Sequence, residues 1–271
     1  MNNLPWIESG RIKITNFAFL SDAYIVKRLD LTNVPALALL GCNNTYLTEL
    51  DLSNVPKLTF LSCVENQLAE LDLSNVPNLT ELWCADNWLT ELNLASLPKM
   101  TQLCCDRNRL TELDLTNVPD LSLLSCLNNQ LTKLDLKNLP KLTLFWCSNN
   151  QLTEIDVSKS PAITELWCGD NQLTELTMAT LPELARLWCK GNRLAELELK
   201  NVPKLVQLIC GDNQLTKLDL TNLPALTELH CEDNQLTELD IRRCHSLTSL
   251  HCDETVNIVK NFNQHVNVVQ F

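Results

Sequence analysis

Apolar positions along this chain repeat every 21 residues, a period that belongs neither to one helix nor to one strand. From Leu58 to Leu68 the order is Leu-Thr-Phe-Leu-Ser-Cys-Val-Glu-Asn-Gln-Leu, and from Ile163 to Leu173 it is Ile-Thr-Glu-Leu-Trp-Cys-Gly-Asp-Asn-Gln-Leu. Both read L-x-x-L-x-C-x-x-N-x-L, with isoleucine allowed at the first place. The cysteine of this pattern stands at 42, 63, 84, 105, 126, 147, 168, 189, 210, 231 and 252, with no slip in ten successive intervals. A unit this short cannot bury its own apolar face and must stack on copies of itself, so the spacing predicts a solenoid.

Each unit has two halves. Leu79-Thr-Glu-Leu82-Trp-Cys84 ends in inward and outward alternation, which predicts a short parallel strand lining a concave face. The Asn at 66, 87, 108, 129, 150, 171, 192, 213 and 234 is placed to turn the chain, its amide bonding backbone groups orphaned in the corner. The second half, such as Leu68-Ala-Glu-Leu71-Asp-Leu73, repeats the leucine spacing on the opposite wall. Asn-Val-Pro or Asn-Leu-Pro usually follows, with proline suited to a 3₁₀ turn leading back to the next strand.

Glu49, Glu70, Glu91, Glu112, Glu154, Glu175, Glu196 and Glu238 share one outward column, and an interrupted Asp column runs from Asp30 and Asp51 to Asp240. Both read as a solvated outer wall. The pattern breaks at both ends. Residues 1–28 are expected to form an N-terminal cap, with Trp6, Ile7, Ile12, Phe17, Phe19 and Tyr24 among its apolar cover and a helix start at Ser21-Asp22. Residues 29–252 form the solenoid of about eleven rungs. Residues 253–271, with Val256, Ile258, Phe262, Val268 and Phe271, are expected to form a C-terminal cap built as a hairpin.

Composition narrows the function classes. The net charge of −12 opposes nucleic acid, whose phosphates require a basic stripe. No apolar run is long enough to span a membrane, and residues 1–25 show no charged-then-apolar leader pattern. Thirteen cysteines invite disulfides or metal, yet neighbouring rungs lie about 4.8 Å apart with parallel side-chain vectors, a geometry hostile to a disulfide dihedral near 90°. The ladder cysteines are therefore expected to be buried free thiols acting as small hydrophobes. Cys104, in the outward phase, and Cys244 stand outside the ladder and are expected to be the accessible ones.

The unit L-x-x-L-x-C-x-x-N-x-L-T-x-L-D-L-x-N-x-P-x, read from Leu58 to Asn78 with Ala69 in place of threonine, resembles the cysteine-ladder leucine-rich repeats of bacterial surface proteins, internalin J and its relatives. The resemblance covers roughly residues 29–252. It implies an α/β-type but mostly β, right-handed parallel solenoid. It also implies an adhesin-like or ligand-recognition role and an extracellular or cell-surface location, with a cytoplasmic scaffold or injected effector as the alternative.

The residue before each ladder cysteine carries the functional signal: Gly41, Ser62, Trp83, Cys104, Ser125, Trp146, Trp167, Trp188, Ile209, His230 and His251. Three consecutive tryptophans are not demanded by a scaffold that accepts glycine and serine in the same column. Exposed aromatic rows mark binding surfaces, although stacked indoles could also simply shield the sheet. Trp146, Trp167 and Trp188 are the expected ligand contacts, with Trp83 and Phe60 as lesser ones and Trp88, at a corner, of small weight. Serine at 62 and 125 makes serine an expected neutral replacement for the tryptophans. Glu165, Arg186, Lys190, Asp212 and His230 form a mixed charged rim around the row, suited to a protein or glycoprotein ligand and, as an alternative, to a short oligosaccharide. No nucleophile–base set, phosphate loop or H-E-x-x-H motif points to catalysis, and no cofactor or metal is expected. His230 and His251 stack beside acids but have no convergent pocket. A monomer is expected.

Overall fold

A computed structural model describes residues 28–178 and 180–271, together with the backbone strands Trp6–Glu8, Arg11–Lys13 and Ala18–Phe19. The expected cap surface of residues 1–28 and its helix start at Ser21-Asp22 lie outside the described residues. The described residues form a parallel β-solenoid without a helix, of about eleven turns. Two compact units divide the chain, Met1–Asn138 and Leu139–Phe271.

In the first unit three-residue strands stack in parallel at Leu39–Gly41, Phe60–Ser62, Glu81–Trp83, Gln102–Cys104 and Leu123–Ser125. Register is offset by one repeat at each step: Leu40 faces Leu61, Leu61 faces Leu82, and Leu82 faces Leu103. The second unit repeats this with Leu144–Trp146, Glu165–Trp167, Arg186–Trp188, Gln207–Ile209 and Glu228–His230, followed by Ser249–Cys252. An exact sequence period gives an exact register, so every column of the sequence becomes a row of stacked side chains. The central residue of each strand, leucine in every case but Phe145, and the ladder cysteine after it point inward and are wholly buried.

The corners show why the other repeat residues are what they are. Asn87 donates from Nδ2 to the carbonyls of Cys63, Cys84 and Ala85, and its Oδ1 accepts from the Leu68 N–H at 3.0 Å. One amide thus satisfies four backbone groups in two rungs. The residue before each ladder Asn is left-handed, at φ near 50°, and is mostly Asn or Asp, the non-glycine types that tolerate it. Threonine in the strand approach also has a use: Thr80 and Thr101 donate their hydroxyls to the carbonyls of Thr59 and Thr80 one rung back. Proline sits second in a turn closed by Leu58 N–H to Val55 C=O at 3.0 Å, where its fixed φ belongs.

Three expectations change. The Asp column is more than a solvated wall: Asp51, Asp72, Asp114 and Asp219 accept the N–H two residues on, so each caps its own turn. Hydrogen bonds from the hydroxyls and N–H groups of Ser53, Ser74, Thr116 and Thr221 together hold the four carboxyls below the usual carboxylate range. The segment after Cys252 is no hairpin. Its strands Asn257–Val259 and Asn267–Gln270 pair in parallel with Glu238–Asp240 and Ser249–Cys252, extending the stack by a shortened rung. Cys104 and Cys244 are buried, and all thirteen cysteines are free thiols. Cys104 lies in register between Trp83 and Ser125 with its thiol turned to Asp106 Oδ2 at 3.5 Å. Cys244 fills the inward position that Val55 and Val202 fill in other rungs.

Candidate functional site

The outward column of the second unit places Trp146, Trp167 and Trp188 directly over one another, because their strands pair without slippage. Ring centroids are 5.0 Å apart between Trp146 and Trp167, at 26° between planes, and 4.4 Å apart between Trp167 and Trp188, at 6°. All three are half-buried. Both faces of the middle ring are covered by its neighbours, so it presents an edge to solvent. The indole N–H of Trp167 is buried and meets no acceptor, as is that of Trp83 in the first unit, each at a cost of about 1–3 kcal/mol.

The row continues as a polar chain. Trp188 Nε1 donates to Gln207 Oε1 at 2.9 Å, and Gln207 Nε2 donates to Glu228 Oε2 at 2.8 Å. The other oxygen of Glu228 accepts from His230 Nε2 at 2.9 Å. His230 stacks on His251 with centroids 4.0 Å apart, and His251 tilts against Phe271. Four rungs of one sheet face are thereby linked through side chains alone.

The charged rim is internally paired. Arg186 bonds the Glu165 carboxylate one rung back. Lys190 does not pair with Asp212; it reaches Glu232 two rungs on, at 3.1 Å. That bond lifts the Lys190 ammonium above its ordinary range. The path between them is open because Gly211 stands in the intervening rung, where an added Cβ would lie 2.8 Å from Glu232 Oε1. Asp212 occupies the left-handed corner position beside this pair. The Lys190, Gly211, Glu232 series, each residue directly after a ladder cysteine, was the available sequence signal for this contact.

Trp83 and Phe60 belong to the first unit and do not extend an aromatic row. Trp83 is flanked in register by Ser62 and Cys104, and Phe60 by Leu39 and Glu81. Outside the C-terminal segment the most exposed aromatics among the described residues are others: Tyr46 at 49% and Trp88 at 46%, with the Arg109 guanidinium 5.7 Å from the centre of the Trp88 ring. Serine is also a less innocent replacement than the column suggests. Ser62 donates to Asn43 Oδ1 and Ser125 to Asp106 Oδ1, whereas the matching position one rung before Trp188 is Gly169. Among the described residues no group of three or more His, Cys, Asp or Glu is placed to hold a metal ion.

No protein-family model matches the chain, and no curated protein matches it. Solved structures do. The functional domain of InlJ from Listeria monocytogenes, described as including a cysteine ladder, is 31% identical over 88% of this chain and 62% of that one, with a TM-score of 0.66. YopM from Yersinia enterocolitica is 27% identical over 91% of this chain and 57% of its own, with a TM-score of 0.73. YopM from Yersinia pestis, a leucine-rich effector protein, is 25% identical over 94% and 76%, with a TM-score of 0.76. The chain thus spans less than two thirds of the first two. The fold is that of leucine-rich-repeat proteins, and the 21-residue cysteine spacing fits a ladder.

Proposed function

We propose that this chain is a non-enzymatic recognition module that binds a protein or glycoprotein through the outward face of its second unit's main sheet, with Trp146, Trp167 and Trp188 at the centre. The observation that carries the reading is the stack itself: three half-buried indoles with a buried, unpaired N–H on Trp167, in a column where the fold is content with glycine, serine or isoleucine. Rigid aromatic centres with a polar surround are where binding energy concentrates. The stack also favours a macromolecule over an oligosaccharide. A sugar stacks on an open ring face, and the middle indole has none, while ring edges, which carry positive charge in the aromatic quadrupole, suit carbonyls and aromatic faces of a polypeptide.

An adhesin-like role at a bacterial surface is what the repeat's resemblance to the cysteine-ladder surface proteins implies. A second reading, an effector working inside another cell, draws on the similarity to YopM. The test is an array of cell-surface ectodomains and glycans probed with the chain and with its Trp146→Ile/Trp167→Ile/Trp188→Ile variant, isoleucine being native to the column at Ile209. Protein or glycoprotein signals lost in the variant are the expected result. Signals confined to free glycans, or equal for both proteins, would refute the reading.

A further inference from the structure

The first unit carries a groove of about 850 Å³ along the second halves of its early repeats, lined by none of its main-sheet strands. Leu50, Leu71 and Leu73 contribute to its lining, and carboxylates dominate its rim. Glu49, Glu70 and Glu91 stand in one column, and Asp30, Asp51 and Asp72 in a parallel one. The two columns are not equivalent. Asp51 and Asp72 are committed to the N–H groups of Ser53 and Ser74 at 2.9 Å. Glu49 already holds the guanidinium of Arg28. Glu70 and Glu91 repeat the position of Glu49 one and two rungs on, are exposed, and make no ion pair among the described residues.

An aromatic edge stands on the same rungs. Tyr46 and Trp88 lie three residues before Glu49 and Glu91, and they are the most exposed aromatic side chains among the described residues outside the C-terminal segment. Other repeats fill that column with glutamine or arginine, so the scaffold does not demand aromatics there. Trp88 also has a guanidinium over its ring, that of Arg109.

We infer that this face docks a basic polypeptide segment, with Glu70 and Glu91 receiving its arginine or lysine side chains and Tyr46 and Trp88 packing along their stems. Charge complementarity selects that occupant. The chain's own arginines show both halves of the recognition, a carboxylate of the column at Arg28 and an indole of the edge at Arg109. An acidic segment would meet like charge along the whole rim, and a second copy of a chain carrying −12 would repel the first. One rung is about 4.8 Å, so Glu70 and Glu91 match cations one or two residues apart on an extended strand. The surface is independent of the tryptophan row, and neither reading depends on the other.

Fluorescence anisotropy with a labelled peptide of alternating arginine and serine tests this, with an alternating glutamate–serine peptide as the comparison. Glu70→Gln/Glu91→Gln should weaken binding of the arginine peptide by about three- to tenfold, and Trp88→Gln by a similar factor. Glutamine is native to the Trp88 column at Gln67, so that variant keeps the fold. The control Glu154→Gln/Glu196→Gln removes the same charge from the second unit and should change affinity less than about twofold. Equal losses in both glutamine pairs would reduce the effect to net charge and overturn the inference. So would absence of binding, preference for the glutamate peptide, or a self-association that the Glu70/Glu91 change abolishes.

Discussion

The buried thiols make stability depend on pH in a way that can be worked out. Burial pushes the thiols of Cys63 and Cys189 up to about 12, and those of Cys42, Cys84, Cys105, Cys147, Cys168, Cys210 and Cys231 upward too, several aided by the next thiol along. An unfolded thiol ionises near 9 while the folded one keeps its proton. The unfolded state therefore binds fewer protons above pH 9, and stability falls as pH rises from there toward 12. Each such thiol forfeits on the order of 1 kcal/mol between pH 9 and pH 10. Summed over the ladder the loss is on the order of 10 kcal/mol at pH 10, comparable to the whole stability of an ordinary domain. Urea midpoints followed by far-ultraviolet circular dichroism should be nearly flat from pH 7 to 8 and collapse between pH 9 and 10. The control is Cys147→Ala/Cys168→Ala/Cys189→Ala/Cys210→Ala. It is weaker at every pH, but its loss of stability between pH 9 and 10 should be smaller by about 4 kcal/mol, the contribution of four thiols. Identical alkaline slopes for the two proteins would refute the argument.

Three further outcomes follow from the same contacts. Asn87→Ala strands the carbonyls of Cys63, Cys84 and Ala85 and the Leu68 N–H, and should cost about 3 kcal/mol in urea titration. Ser160 is wholly buried with no partner for its hydroxyl, in the column that holds Val55 and Val202, so Ser160→Val should raise stability by about 1–2 kcal/mol; a loss would mean the site is already full. Ellman's reagent at pH 8 should label none of the thirteen cysteines rapidly in folded protein, because Cys104 and Cys244 are buried and raised to about 12 and about 11. Fast reaction at those two alone would restore the reading of the sequence.

The backbone was legible because an unbroken 21-residue period leaves one way to stack, and register then follows residue by residue. The asparagine corners, the inward cysteines and the stacking of the three tryptophans are all consequences of that register. What did not follow concerns side-chain reach. Lys190 bypasses the adjacent rung because Gly211 leaves room, and a pattern of columns assigns neighbours only one step away. Cys104 has the outward phase, yet the short side chains of that column, Ser62 and Ser125 as well as Cys104, are buried. The Asp column looked like solvated charge because a carboxylate that caps its own turn has the same composition as one that caps nothing. The C-terminal strands were misread as a hairpin because their offsets of 18 and 19 residues hide the continued parallel stacking.

Recognition by the tryptophan row is tested most directly by titration calorimetry. The strongest ligand from the ectodomain array would be measured against the unaltered chain, against Trp146→Ile/Trp167→Ile/Trp188→Ile, and against Glu70→Gln/Glu91→Gln. Loss of a central aromatic cluster removes at least about 2–4 kcal/mol, so the tryptophan variant should bind at least about thirtyfold more weakly, with the glutamate variant unchanged. Affinity retained by a folded tryptophan variant would contradict the account.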